Sequence, residues 1–286
     1  MQAVLKSIFF IAGLSLILIG CERVITVDIK KVPAKYVVEG VLNDDSTCWV
    51  RFSKTNAFDD TISLLGLSRA RITISEEGGE TAVLTETTGG RGIYRARFSG
   101  HPGRTYHLKV EYDAPSTDEQ NEPHQVFTAT STMPQKVTLD SLFITERIFL
   151  GQKRLIGTIR YQDPPAPGNA YRYVQYIDGS EETTVFVTKD DLFNGRMVTD
   201  ELLIFNSEYT LRKCDQLRVV LQCIETPIYK FWYSMNQSSL GSSQSASPDN
   251  PASNIQGGAL GYFSAHTVSA KNIAVFPDST CSYPAN

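Results

Sequence analysis

The sequence predicts a mainly β protein made of two β-sandwich-like domains, the second carrying one α-helix. Three observations lead there. Short runs rich in β-branched and aromatic residues recur along the chain. Within them, large and polar residues alternate, as a half-buried strand requires. Clusters of Gly, Asn, Asp and Pro close the runs at intervals of about 8–12 residues, the spacing of a sandwich. With 286 residues, 41% of them hydrophobic, the chain has room for two domains and enough apolar material to pack them, which excludes wholesale disorder.

The first element is a leader. Lys6 is the only charge before an apolar run from Ser7 to Ile19, and the run ends Leu18-Ile19-Gly20-Cys21. That run is shorter than the roughly 20 residues a membrane-spanning helix needs. A small residue before the cut marks a secretory signal over 1–20. The Leu-x-Gly-Cys ending resembles the bacterial lipobox, which makes Cys21 the expected lipidation site. Acyl chains contribute about 0.8 kcal/mol per buried methylene, so two or three of them anchor a chain without a spanning helix. Glu22 stands after the cysteine, where an Asp would signal inner-membrane retention, so the outer membrane is the expected location. Residues 21–35 form the expected tether.

Strands of the first domain, 36–133, are expected at Tyr36–Leu42, Cys48–Ser53, Ala70–Ser75, Ala82–Leu84, Ile93–Phe98, Tyr106–Tyr112 and Val126–Thr132. Alternation of Tyr106, Leu108, Val110 and Tyr112 sets one face inward. Asp113–His124 reads as a surface loop. Met133-Pro134 is the expected boundary to the second domain, 134–286. There Ser141–Ile144, Leu155–Tyr161 and Tyr171–Ile177 read as strands, Leu217–Ile224 as the most buried strand, and Lys271–Val275 as the last one. A helix is expected over about 227–240. Thr226 can cap it, Pro227 suits its first position and Gly241 can end it. Ile228, Phe231, Trp232 and Met235 make one apolar stripe, read as packing against a sheet. Gly257, Gly258 and Gly261 permit tight turns or close backbone approach.

Several segments taken together resemble a Bacteroidota lipoprotein family known as domain of unknown function 4249. They are Tyr36–Leu42 after the lipobox, Gly92-Ile93-Tyr94, Pro102-Gly103-Arg104-Thr105-Tyr106, Asp163-Pro164 leading to Asn169-Ala170-Tyr171-Arg172, the Tyr229–Tyr233 helix and the glycine segment Asn254–Phe263. The first domain, with Gly-x-Tyr and then Pro-Gly-x-x-Tyr before a strand, also resembles the carboxypeptidase-regulatory or transthyretin-like sandwich. The resemblance implies an outer-membrane lipoprotein, often encoded near TonB-dependent transporters, with no established reaction. Where the family usually has Gly-Asp, this chain has Cys214-Asp215, and that departure beside Cys223 implies a local disulfide. By count alone, Cys48, Cys214, Cys223 and Cys281 permit two disulfides in three connectivities or four buried thiols. Asp60-Thr61-Ile62 and Asp140-Ser141-Leu142 resemble the O-glycosylation acceptor of this bacterial group, at Thr61 and Ser141.

No catalytic signature stands out. The four His form no H-E-x-x-H pair, no C-x-x-C occurs, and there is no G-x-S-x-G elbow. Metal, cofactor and enzymatic activity are therefore not expected. A formal charge of −4 without a basic stripe argues against nucleic acid. Thirteen Tyr, 14 Phe and two Trp could furnish a platform for a glycan or peptide, although strand packing alone accounts for most of them. The expected function is a non-enzymatic accessory or ligand-capture partner of a TonB-dependent transporter. The second reading is a surface adhesion or structural lipoprotein that binds glycans or matrix without a transporter.

Overall fold

The structure is a computed structural model and describes residues 33–45, 47–55, 65–89, 91–114, 124–204, 210–239, 250–276 and Cys281. Ala34–Asn286 forms one compact unit and Met1–Pro33 another. Cys21, Thr61 and most of the expected tether lie outside the described residues.

The body is mainly β, with two sheets and one helix among the described residues. Its first half supplies β1 (Tyr36–Asn43), β2 (Cys48–Lys54), β3 (Leu65–Gly66), β4 (Arg71–Glu76), β5 (Thr81–Glu86), β6 (Ile93–Ala96), β7 (Thr105–Tyr112) and β8 (Gln125–Thr132). The second half supplies β9 (Ser141–Phe149), β10 (Gln152–Gln162), β11 (Ala170–Ile177), β12 (Ser180–Glu181), β13 (Phe186–Lys189), β14 (Met197–Leu202), β15 (Gln216–Ile224), α1 (Thr226–Ser239) and β16 (Leu260–Ala274). The large sheet runs β12-β11-β15-β16-β1-β2-β6-β5-β4-β7-β8, with β13 also on β11 and β3 on β2. A second sheet holds β14-β10-β9.

The large sheet turns back on itself through β5. Val38, Val50 and Phe52 of β1 and β2 thereby share one core with Ile72, Ile74, Leu108, Val110 and Phe127 of β4, β7 and β8. The expected inward face of β7 holds, since Tyr106, Leu108, Val110 and Tyr112 are all 5% exposed or less. In the second core, Ile159, Tyr161, Val198 and Leu202 of the small sheet pack on Tyr171, Tyr173, Leu217, Val219 and Leu221 of β11 and β15. Hydroxyls buried there find partners. Tyr161 and Tyr173 share a hydrogen bond of 2.8 Å, Tyr173 donates to Asp200 at 2.7 Å, and Tyr171 donates to Asp163. Burial pushes all three phenols well above their usual range.

The element that joins the cores was not legible in sequence. The segment read as a glycine-rich turn and a separate short last strand is a single strand of 15 residues, β16. Its first seven residues pair in parallel with β1, from Val37 opposite Leu260 to Asn43 opposite His266. The remainder pairs antiparallel with β15, from Cys223 opposite Thr267 to Gln216 opposite Ala274. Residues 261–267 are buried on both faces, so the alternation by which strands were sought is missing. The first core consequently takes Ile255, Ala259, Phe263 and Ala265 from beyond Met133. Gly261 permits the approach: φ is +102°, and a Cβ would lie 2.0 Å from the Val38 carbonyl oxygen.

The helix packs as its stripe predicts through two turns. Ile228 and Phe231 are buried against Val41, Ala170, Ile224 and Tyr262, whereas Met235 is 39% exposed. The cysteines correct the expected local bridge. The disulfide joins Cys214 to Cys281, with Cα atoms 5.3 Å apart, and Cys48 and Cys223 are buried thiols. Cys214 precedes β15 and Cys223 is its second-last residue. Eight or nine extended residues separate them by roughly 25–30 Å, several times the reach of a disulfide. Cys48 and Cys223 belong to different cores and cannot pair either.

Three outcomes are expected. Gly261→Ala will destabilise the protein in urea melts by about 3 kcal/mol or more, from left-handed strain plus the clash with Val38. Gly258→Ala, also at positive φ but with open space around its Cβ position, will lose only about 1–2 kcal/mol. The Cys214–Cys281 bridge closes a loop of 67 residues, so Cys214→Ser should lower stability by about 4 kcal/mol in the same melts.

Candidate functional site

Where the cores meet, the outer face of the large sheet is concave. A cleft of about 480 Å³ opens over β11, β15, β16 and β1. Period-two geometry sends alternate residues of each strand into it. β1 contributes Glu39, Val41 and Asn43, directly opposite Tyr262, Ser264 and His266 of β16. β15 contributes Gln222 and Arg218, opposite Arg172 and Tyr176 of β11. Trp49 of β2, Trp232 of α1, Glu181 of β12 and Lys136 wall the cleft. These are the chain's only two tryptophans.

The junction is fixed by polar contacts that cross it. Ser131 of β8 donates to Glu225 at 2.7 Å and accepts the Ala265 N–H of β16 at 2.9 Å. The other Glu225 oxygen accepts the Thr132 N–H at 2.8 Å. Burial pushes the Glu225 carboxyl above the usual carboxylate range, against those two hydrogen bonds. Asp44 accepts from the Val268 N–H at 2.8 Å and from Lys136 Nζ at 2.9 Å. The segment between the halves is tied down by the Leu139 N–H on Ser269 Oγ, at 2.9 Å.

Arg172 is the dominant group of the cleft. Its guanidinium lies over the Trp232 ring, 3.9 Å from the centroid, and its side chain is only 15% exposed. One Nη donates to Gln222 Oε1 at 3.1 Å, the other stands 3.7 Å from Glu181, and the buried Nε has no hydrogen-bond partner among the described residues. Burial lowers its pKa from the ordinary arginine value. Near it, His266 and Ser264 share a hydrogen bond of 2.9 Å, and both are under 5% exposed. Burial, reinforced by the Arg172 charge, holds the imidazole down to about 4. Glu39 is pushed up by burial despite Arg51 at 3.7 Å.

Ser264 and His266 are the nearest approach to a nucleophile and its base in this cleft. An imidazole that protonates only near pH 4 is a weak proton acceptor at neutrality, and a hydroxyl 2% exposed offers little access to a substrate. The pair is therefore poorly placed for acyl transfer. No group of three His, Cys, Asp or Glu side chains able to hold a metal occurs among the described residues.

The residues singled out from sequence do not gather here. Ser141 is the first residue of β9, half-buried, opposite Arg160 of β10. The disulfide and both thiols lie outside the cleft lining. The residues that form the cleft went unrecognised. The available signal was a charged or amide residue interleaved among large apolar ones: Arg172 within an aromatic strand, and Arg218 and Gln222 flanking Val220.

Fold and site together define a mainly β protein with a polar, aromatic-walled cleft at the junction of its two cores. The chain belongs to the family described as Domain of unknown function (DUF4249), whose model matches residues 22–272. No curated protein matches it. Among solved structures it is similar to a two-domain fibronectin type III segment of chicken tenascin, at 11% identity and a TM-score of 0.22, over 68% of this chain and 92% of that one. Among the described residues no helix is long and apolar enough to cross a membrane.

The buried imidazole makes stability depend on pH. Its folded pKa of about 4 lies below the ordinary histidine value of 6.5, so the unfolded chain binds the extra proton between those values. That contribution is intact above pH 6.5 and is lost as pH falls towards 4, up to about 3 kcal/mol. Urea melts of the protein and of His266→Gln from pH 7 to pH 4.5 should diverge in slope, with the wild type losing stability faster on acidification.

Proposed function

We propose that this protein is a lipid-anchored binding protein of the outer membrane that works without catalysis. It captures a ligand in the junctional cleft and serves a TonB-dependent transporter as its accessory. The anchor rests on the Leu18-Ile19-Gly20-Cys21 sequence, and the transporter association on the resemblance that the sequence motifs carry. The observation that supports capture is the cleft: a guanidinium with unused donors, beside two tryptophans and hydrogen-bonding side chains, on a floor of sheet strands. Rigid sheet floors with a few converging polar groups are the usual build of a small-ligand site.

Two measurements test the reading. Cys21→Ser should move the protein from the membrane fraction to the soluble fraction, and retention in the membrane would sink the lipid anchor. A mild-detergent pull-down of the tagged wild type from its native membrane should bring a TonB-dependent barrel in near-stoichiometric amount, identified by mass spectrometry. Recovery of the protein without any barrel would remove the transporter and leave the adhesion reading.

A further inference from the structure

The charges in the cleft are not equally engaged. Lys136 is held by Asp44 at 2.9 Å, and Glu39 lies 3.7 Å from Arg51. The two arginines are left with capacity. Of the five N–H groups of Arg172, one is engaged in a hydrogen bond among the described residues, and its nearest carboxylate, Glu181, stands at 3.7 Å. Arg218 lies over the Tyr176 ring, 5.8 Å from the centroid, and makes no ion pair among the described residues. Arg172 and Arg218 sit on one face, each opposite a neighbour in register: Arg172 faces Gln222 and Tyr176 faces Arg218. They bracket a stretch of roughly 13 Å, four extended residues.

The site extends along that line. A second recess of about 450 Å³ shares Tyr176 and Arg218 with the cleft and continues over Gln216 and Asn272. An elongated run fits a chain of rings better than a single compact molecule. Floor strands β11, β15 and β1 have strand neighbours on both sides, and along β16 the backbone groups of Phe263, Ala265 and Val268 are taken by Asn254, Ser131 and Asp44, which disfavours a peptide adding as a strand. Recognition must use side chains, and those available are aromatic faces, the Gln222 amide and the two guanidinium groups. Three acidic and three basic side chains line the cleft, a balance unsuited to a densely charged polyanion.

We infer that the cleft and its extension bind an acidic oligosaccharide of the uronate type, with a ring carboxylate received by the fork of Arg172 and the next rings lying toward Tyr176 and Arg218. A guanidinium presents paired donors to a carboxylate, which an ammonium does not. The inference rests on the capture reading above and names its ligand class.

Because Trp49 and Trp232 are the chain's two tryptophans and both line the cleft, selectively excited tryptophan fluorescence reports on this site. The full-length protein in detergent is titrated with trigalacturonate, its methyl ester, neutral galactotriose and triglutamate. Trigalacturonate should change the emission saturably and bind at least tenfold more tightly than the ester or galactotriose. Arg172→Lys should weaken it at least tenfold. The exposed Arg218→Gln should weaken it about three- to tenfold with an unchanged melting midpoint, which keeps the test valid if Arg172 variants fold poorly. Equal binding of ester and acid overturns the carboxylate while leaving a capture cleft. Triglutamate binding as tightly as trigalacturonate overturns the saccharide. Saturable binding by none of the probes overturns the inference outright, and the pull-down decides the transporter reading separately.

Discussion

The rest of the structure depends on the pairing of β16 with two unlike neighbours. Its first half lies parallel to β1 and its second half antiparallel to β15, so one straight strand belongs to both cores. Backbone hydrogen bonds are obligatory for buried strands, and residues 261–267 have no access to water as an alternative partner. The pairing requires the backbone of β16 to approach that of β1 closely at Gly261, where any side chain would meet the Val38 carbonyl. The contacts of Ser131 with Ala265, Asp44 with Val268 and Ser269 with Leu139 then lock the flanking segments to the same strand.

The cleft follows from that geometry. A sheet continuous across the junction carries side chains of both halves on one outer face, and α1 and β2 raise walls on it through Trp232 and Trp49. Burial has two different effects there. It holds His266 neutral, so the imidazole serves as a hydrogen-bonding group, and it lowers the pKa of Arg172 without a full set of partners. A guanidinium tolerates this position because its flat, weakly hydrated face can lie on an indole. The remaining donors are then directed by the fixed positions of Gln222 and Trp232 rather than by flexible loops.

Much of the fold was legible. Strands such as β7 alternate because one face is buried and the other wet, and α1 announces itself through a cap, a proline and an apolar stripe. The legible features depend on interactions within a few residues. Those that were missed depend on distant partners. β16 lacks alternation because both its faces are covered, and of the two roles its glycines allowed, a tight turn or a close backbone approach, Gly261 serves the second. The disulfide from Cys214 skips the nearer Cys223 because an extended strand separates them, and Cys281 returns to the start of β15 only after β16 has crossed the body.

The sequence by itself determined the β class, most strand positions and the helix α1, since periodicity, turn chemistry and capping are local properties of the chain. Only the tertiary structure decided that the two cores share a strand, which cysteines meet, and that Arg172, Gln222, His266 and Trp232 line one cleft. Those residues are separated by up to about a hundred positions along the chain. What brings them together is the register of strands paired across the sheet, which is set by packing and backbone hydrogen bonding over the whole body and leaves no mark at any one site in the sequence.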